Sequence, residues 1–310
     1  MIDIPLIIGS FFVAVIVGLT GMGGGALMTP MMMLFFNVPP LAAVSSDLVA
    51  SAVMKPVGGA VHMRRGTVNM RLVGWLCAGS VPTAFCGVFV ARAFGDGARV
   101  QEVVKFALGI ALLLAVAGLV AKAWLTLRDA NRTVGAEVTG ITVRPIPTLL
   151  VGMVGGLVVG ISSVGSGSLI IVALLALYPM LKANQLVGTD LVQAVPLVAS
   201  AALGHLLFGD FQLDITASLL IGSIPGVYLG ARISAWAPAG AIRAMLAVVL
   251  LASALKLLGV GNAATLWILG LSVAAAAVVW PLARKRAAQR AAQRPAAAPT
   301  PSLTPIDPAG

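Results

Sequence analysis

Apolar residues fall in long blocks along the chain, at about 5–22, 26–37, 41–63, 70–92, 101–125, 146–162, 168–180, 184–207, 213–235, 239–259 and 263–282. Most blocks reach the roughly 20 residues that a helix needs to cross a hydrocarbon core. The pattern predicts an all-α, polytopic transmembrane helical bundle. Two blocks, 26–37 and 168–180, are too short for a comfortable crossing. Each follows a glycine-rich break, Gly21-Met22-Gly23-Gly24-Gly25 in one case and Gly165-Ser166-Gly167 in the other. Broken or half helices are therefore expected at both places.

The order of blocks repeats, and so do individual residues. Val17-Gly18-Leu19-Thr20 and the break after it parallel Val159-Gly160-Ile161-Ser162 and the second break. A constant offset of 143 then pairs Asp47-Leu48-Val49 with Asp190-Leu191-Val192, His62 with His205, and Gly79 with Gly222. Self-similarity in this order marks an internal duplication. Charge orients its halves. The loop after His62 carries Arg64, Arg65 and Arg71, whereas the loop after His205 carries Asp210 and Asp214 and no cation. Basic loops stay in the cytoplasm. The two repeats are therefore expected to be inverted, with the N-terminus outside and the C-terminus cytoplasmic. The predicted organisation is a first repeat over 1–125, a cytoplasmic linker over 126–145, a second repeat over 146–260, an additional helix over 261–283 and a disordered tail over 284–310.

Composition excludes several classes of protein. Only 10% of the 310 residues are charged and the mean hydropathy is +1.04. A soluble domain carries about 25% charged residues, so this chain cannot build a water-facing surface of ordinary kind. The net charge of +10 could suggest nucleic acid. However, the cations flank apolar blocks or lie in the tail, as Arg284, Lys285, Arg286, Arg290 and Arg294 do, with no interleaved aromatics. Cys77 and Cys86 stand about 13 Å apart along one helix, too far for a disulfide. Two histidines and two cysteines in separate apolar places make no metal set, and Gly21–Gly25 lacks the Lys-Ser/Thr ending of a nucleotide loop. No cofactor is expected, and transport would run on gradients without ATP.

The candidate chemistry lies at the breaks and on one seam. Embedded backbone must line a cavity or meet a ligand if its amides are left open. Gly21, Gly23, Gly24 and Gly25, with Gly165, Ser166, Gly167 and Ser168, are candidate substrate-binding positions, at which helix N-termini would face an anion. The alternative is that these glycines only permit close helix packing. Lys55 lies midway along its span and has Val198 at the duplicate position, so it either pairs with a carboxylate or draws an anionic substrate. Asp47 and Asp190 suit a path or a proton relay as well as capping. His62 and His205, at helix ends, suit proton handling as well as interfacial packing.

At these residues the chain resembles the sulfite exporter TauE/SafE family of bacterial permeases. The resemblance rests on Gly21–Pro30, Ser46-Asp47-Leu48, Lys55 and His62–Gly66, then on Gly188–Leu191, Gly204-His205 and Gly222–Gly226. Two departures stand out: Ser45-Ser46 replaces the family's Gly-Thr, and Gly165-Ser166-Gly167 replaces a triple glycine. The resemblance implies a permease of the bacterial inner membrane, not an enzyme, that exports sulfite, organosulfonates or related small anions. Its partners would be that anion, the lipid bilayer and possible further copies of the chain, with no nucleic acid. An anion or solute channel, and a non-transporting membrane enzyme or assembly subunit, are the alternative readings.

Overall fold

The computed structural model describes residues 3–20, 24–64, 68–93, 97–129, 142–167, 169–178, 181, 183–233 and 239–292, with the side chains of some helical residues, His62 and Arg64 among them, outside the description. The described residues form eleven helices and no strand. They are α1 (Ile4–Thr20), α2 (Gly25–Phe35), α3 (Pro40–Arg64), α4 (Met70–Ala93), α5 (Ala98–Asp129), α6 (Pro145–Ser162), α7 (Leu169–Leu177), α8 (Ala183–Phe208), α9 (Leu213–Ile233), α10 (Ala239–Leu257) and α11 (Asn262–Ala292). The chain is all-helical, as the apolar blocks predict.

Five stretches are long and apolar enough to cross a membrane: Met70–Ala93, Ala98–Ala121, Pro145–Ser162, Gly188–Phe208 and Leu213–Gly230. Segments Ile4–Leu19, Gly25–Phe35, Ala244–Leu257 and Asn262–Ala277 are apolar but shorter. The helix α3 carries both an aspartate and a lysine within its length. Its seam of Ser45, Ser46, Asp47, Ser51 and Lys55 makes it too polar to face lipid and sends it to the interior. Accordingly Ser45, Ser46, Asp47 and Ser51 are all buried.

Without a hydrophobic force to drive them together in lipid, helices associate by close backbone approach over small residues. Two interfaces show this. A β-carbon on Gly152, Gly156 or Gly160 of α6 would strike the backbone of Leu76, Ser80 or Ala84 of α4. One on Gly222, Gly226 or Gly230 of α9 would strike the backbone of Ile7, Phe11 or Val15 of α1. Numbers rise together in both sets, so each pair of helices runs parallel. Each half thus receives the first helix of the other. The duplicate helices α3 and α8 run in opposite directions: Ser45 meets His205 at one end, while Asn69, beyond the other end of α3, meets Thr189. All three buried apolar clusters draw on residues from both halves, so neither half has a core of its own.

Two boundaries differ from expectation. The helix α11 continues to Ala292, past the expected start of the tail at 284. Ala, Lys, Arg and Gln are strong helix formers, so residues unable to bury a core still extend a helix already begun. Residues 293–310 lie outside the described residues. The helix α5 likewise runs to Asp129, into the expected linker, and α6 starts at Pro145.

Candidate functional site

The second break is fully traceable up to Gly167. The helix α6 stops at Ser162, and Ser163 takes a left-handed conformation with φ 59° while its amide still bonds the Val159 carbonyl at 2.7 Å. Gly165 and Gly167 have φ of 124° and 102°, a region that side chains oppose and glycine permits. The Gly165 carbonyl then accepts Leu169 N–H at 3.1 Å and so opens α7. The amides of Gly165, Ser166 and Gly167 meet no acceptor among the described residues. In the first break, Gly24 and Gly25 are described and buried, and the Gly24 carbonyl accepts Met28 N–H at 2.9 Å. Gly21, Gly23 and Ser168 lie outside the described residues.

The two breaks touch. A β-carbon on Gly25 would overlap the Ser163 carbonyl group and come within 2.8 Å of Ser163 Oγ. Just beside this contact lies Asp47, fully buried on α3. Its Oδ2 accepts the hydroxyl of Thr29 at 3.0 Å and that of Ser163 at 2.7 Å. The first donor stands one turn into α2 and the second on the cap of α6, so one carboxylate oxygen ties both interruptions to α3.

Two turns along the same face of α3, Lys55 donates from Nζ to Ser166 Oγ at 2.5 Å. The neighbouring Pro56 has no amide to offer the Ala52 carbonyl, which loosens the helix at the point where this cation leaves it. Asp190 and Asp47 are the carboxylates that act on Lys55 through space. Asp190 is buried on α8, one turn before Gln193, whose Nε2 donates to Ser80 Oγ at 3.1 Å. Gly25, Asp47, Lys55, Ser166 and the positive-φ glycines are therefore gathered around one junction, with Asp190 acting on it through space.

His205 sits in a different arrangement. It is buried, with Nδ1 at 2.8 Å from Ser45 Oγ and Nε2 at 2.6 Å from the Gly160 carbonyl. A carbonyl can only accept, so Nε2 carries the proton there, and Nδ1 of the neutral ring accepts from Ser45. Ser45 Oγ in turn accepts Asp210 N–H at 3.2 Å. The ring closes α8 onto α6 and α3 with both nitrogens used. For His62 the structure gives only its place near the end of α3.

Two residues central to this geometry carried no role in the sequence reading: Thr29 and Ser163. The signal was present, since hydroxyl residues flank both interruptions. What the sequence did not supply was the partner, because Asp47 lies 18 residues from one and 116 from the other.

Among the described residues, no group of three or more His, Cys, Asp or Glu could hold a metal ion. Comparison with known proteins agrees with a membrane role. Over 258 residues the chain is 36% identical to "Probable membrane transporter protein YjnA" of Bacillus subtilis (strain 168), covering 83% of this chain and 100% of that protein. Over 227 residues it is 22% identical to "Probable membrane transporter protein YdhB" of the same organism, covering 73% and 88%. A 79-residue stretch is 40% identical to "Probable membrane transporter protein YunE", covering 25% and 27%. No solved structure matches the chain. Residues 6–257, from the first turn of α1 to the end of α10, match the family described as Sulfite exporter TauE/SafE, which takes in both breaks and the junction between them. The chain belongs to the sulfite exporter TauE/SafE family, a family of multi-pass membrane transporters.

Proposed function

We propose that this protein is a gradient-driven permease that exports small anions, with sulfite, organosulfonates or related sulfur oxyanions as substrates. The observation that carries the reading is the junction itself: two broken segments in contact, with Lys55 reaching Ser166 inside one of them. The Lys55 ammonium, the open amides of 165–167 and the start of α7 supply positive field at one place. Entry of an oxyanion would exchange the Lys55–Ser166 bond for bonds to substrate oxygens. The opposed directions of α3 and α8, and the exchange of first helices between halves, support an inverted duplication whose breaks meet near mid-membrane. Under the charge rule the N-terminus is outside and the C-terminus cytoplasmic.

A cytoplasm-negative potential favours anion exit by about 2.3 kcal/mol per charge per 100 mV, twice that for a divalent anion. No nucleotide is needed. The test is counterflow of labelled sulfite, thiosulfate and small sulfonates into proteoliposomes holding the purified chain. Saturable exchange is expected, with Lys55→Ala reducing it far more than Arg64→Ala. Equal effects of the two substitutions would remove the counter-charge role, and flux that does not saturate would favour a channel.

A further inference from the structure

An anion at Lys55 faces an obstacle on its own side of the junction. Asp47 and Asp190 are both buried, and both act through space on Lys55. Lys55 donates its hydrogen bond to Ser166 Oγ. An ionised Asp47 carboxylate therefore stands near the place an anion would occupy. In a low-dielectric interior that charge opposes an oxyanion strongly.

The geometry of Asp47 shows where that opposition is relieved. Its two carboxylate oxygens are unequal: Oδ2 accepts from Thr29 and Ser163, while Oδ1 is buried with no partner among the described residues. A carboxylate oxygen left open in the interior is costly. The groups that meet this carboxylate are hard oxygens: two hydroxyls, whose lone pairs remain after donating to Oδ2, one of them on Ser163, whose carbonyl lies against Gly25. There is no sulfur or imidazole in this set, which excludes a soft or borderline metal, and one carboxylate is few for calcium. Ser163 also caps α6, whose C-terminal end carries partial negative charge. Ends of interrupted helices with unwound carbonyls favour sodium in this way.

We propose that Asp47 Oδ1, with the hydroxyl oxygens of Thr29 and Ser163, binds a monovalent cation of the sodium class that serves as counter-charge for the anion held at Lys55 and Ser166. The binding stands on the geometry of Asp47 alone; the counter-charge role rests on the anion-transport reading. Ser163 and Ser166 lie on the same short break, so the cation and the anion order one segment from its two ends. The duplicate half lacks this set, because Thr29 corresponds to Ile171 and Ser163 to Gly21. One cation site, on the Asp47 side, is therefore assigned, and occupancy rather than co-transport is its content.

The experiment measures retention of radiolabelled sodium by the purified full-length chain, with choline chloride as the background salt and no sulfur anion present. Saturable retention is expected, lost in Asp47→Asn and weakened about tenfold or more by Thr29→Val and by Ser163→Ala. Lys55→Ala should retain sodium at least as well as the wild type. Thr29→Val and Ser163→Ala guard against Asp47→Asn failing to fold. Absence of saturable retention, or retention unchanged in Thr29→Val and Ser163→Ala, overturns the site. A second arm compares sulfite counterflow in sodium with that in choline. Flux that depends on sodium supports the counter-charge role, and equal flux in both salts overturns it. Sodium retention without any sulfite flux sinks the transport reading and leaves the cation site standing.

Discussion

Gly25→Ala and Gly24→Ala make a matched pair that tests whether contact between the breaks governs function. At Gly25 the added carbon would overlap the Ser163 carbonyl and lie 2.8 Å from its Oγ, whereas ordinary contact is 3.4–4 Å. Backbone cannot swing aside as a side-chain tip does, so the two breaks must separate by on the order of 1 Å. Overpacking of this kind costs about 1–3 kcal/mol, offset in part by the better helix propensity of alanine, up to about 1 kcal/mol. The larger effect is on transport, because the Ser163–Asp47 and Ser166–Lys55 bonds both hang on the displaced segment. Misplacement of about 1 Å in a positioned site costs about a hundredfold in rate. At Gly24 the nearest atoms are the Met28 Cγ at 3.6 Å and the Met54 Cε at 3.8 Å, and its φ of −57° and ψ of −33° already suit alanine. That variant should fold as well as the wild type, or gain about 0.4–1 kcal/mol. Thermal unfolding in detergent and initial counterflow rates in liposomes read both terms. Equal behaviour of the two variants, in either assay, would refute the reasoning.

His205→Ala should lower stability by about 1–3 kcal/mol, read as a shift of the unfolding midpoint, because it orphans the Gly160 carbonyl and the Ser45 hydroxyl. His205→Gln should recover part of the loss, and the pH profile of flux should stay that of the wild type; a changed profile would restore a proton-handling role. A chain ending at Gly261 should keep its flux, since the family match ends at residue 257 and α11 leaves Leu266 and Trp267 exposed at 70% and 74%. Loss of flux in that chain would place α11 in the transport machinery.

The helices were legible in the sequence because each is its own apolar block, and membrane burial leaves little room for another pattern. The block at 41–63 became α3, Pro40–Arg64, and that at 213–235 became α9, Leu213–Ile233. The limits of α5 and α11 were not legible, because hydropathy ends where lipid ends while helix propensity does not. At the site, Lys55 and Asp47 stood out because a charge inside a span is costly and invites explanation. Thr29 and Ser163 did not, since a hydroxyl inside a span is cheap and has many uses, and only the folding of two breaks onto one another gives these two a common partner.

On the inverted duplication proposed above, duplication accounts for the junction, and divergence for what it can do. Two copies of one half, packed with α3 against an oppositely directed α8, bring Asp47 and Asp190 to a shared interior whether or not either acid has work there. Had the halves stayed identical, every charge would occur twice and the two sides of the junction would offer a ligand the same thing. Instead Lys55 stands opposite Val198 in the repeat, and the hydroxyls of Thr29 and Ser163 stand opposite Ile171 and Gly21. One side has become richer in donors and charge, the other more apolar. A site that must accept a charged solute from one face and release it to the other needs a symmetric hinge but an asymmetric grip. In the proposed permease, the repeated backbone would supply the first and a handful of side chains on α2, α3 and the second break the other.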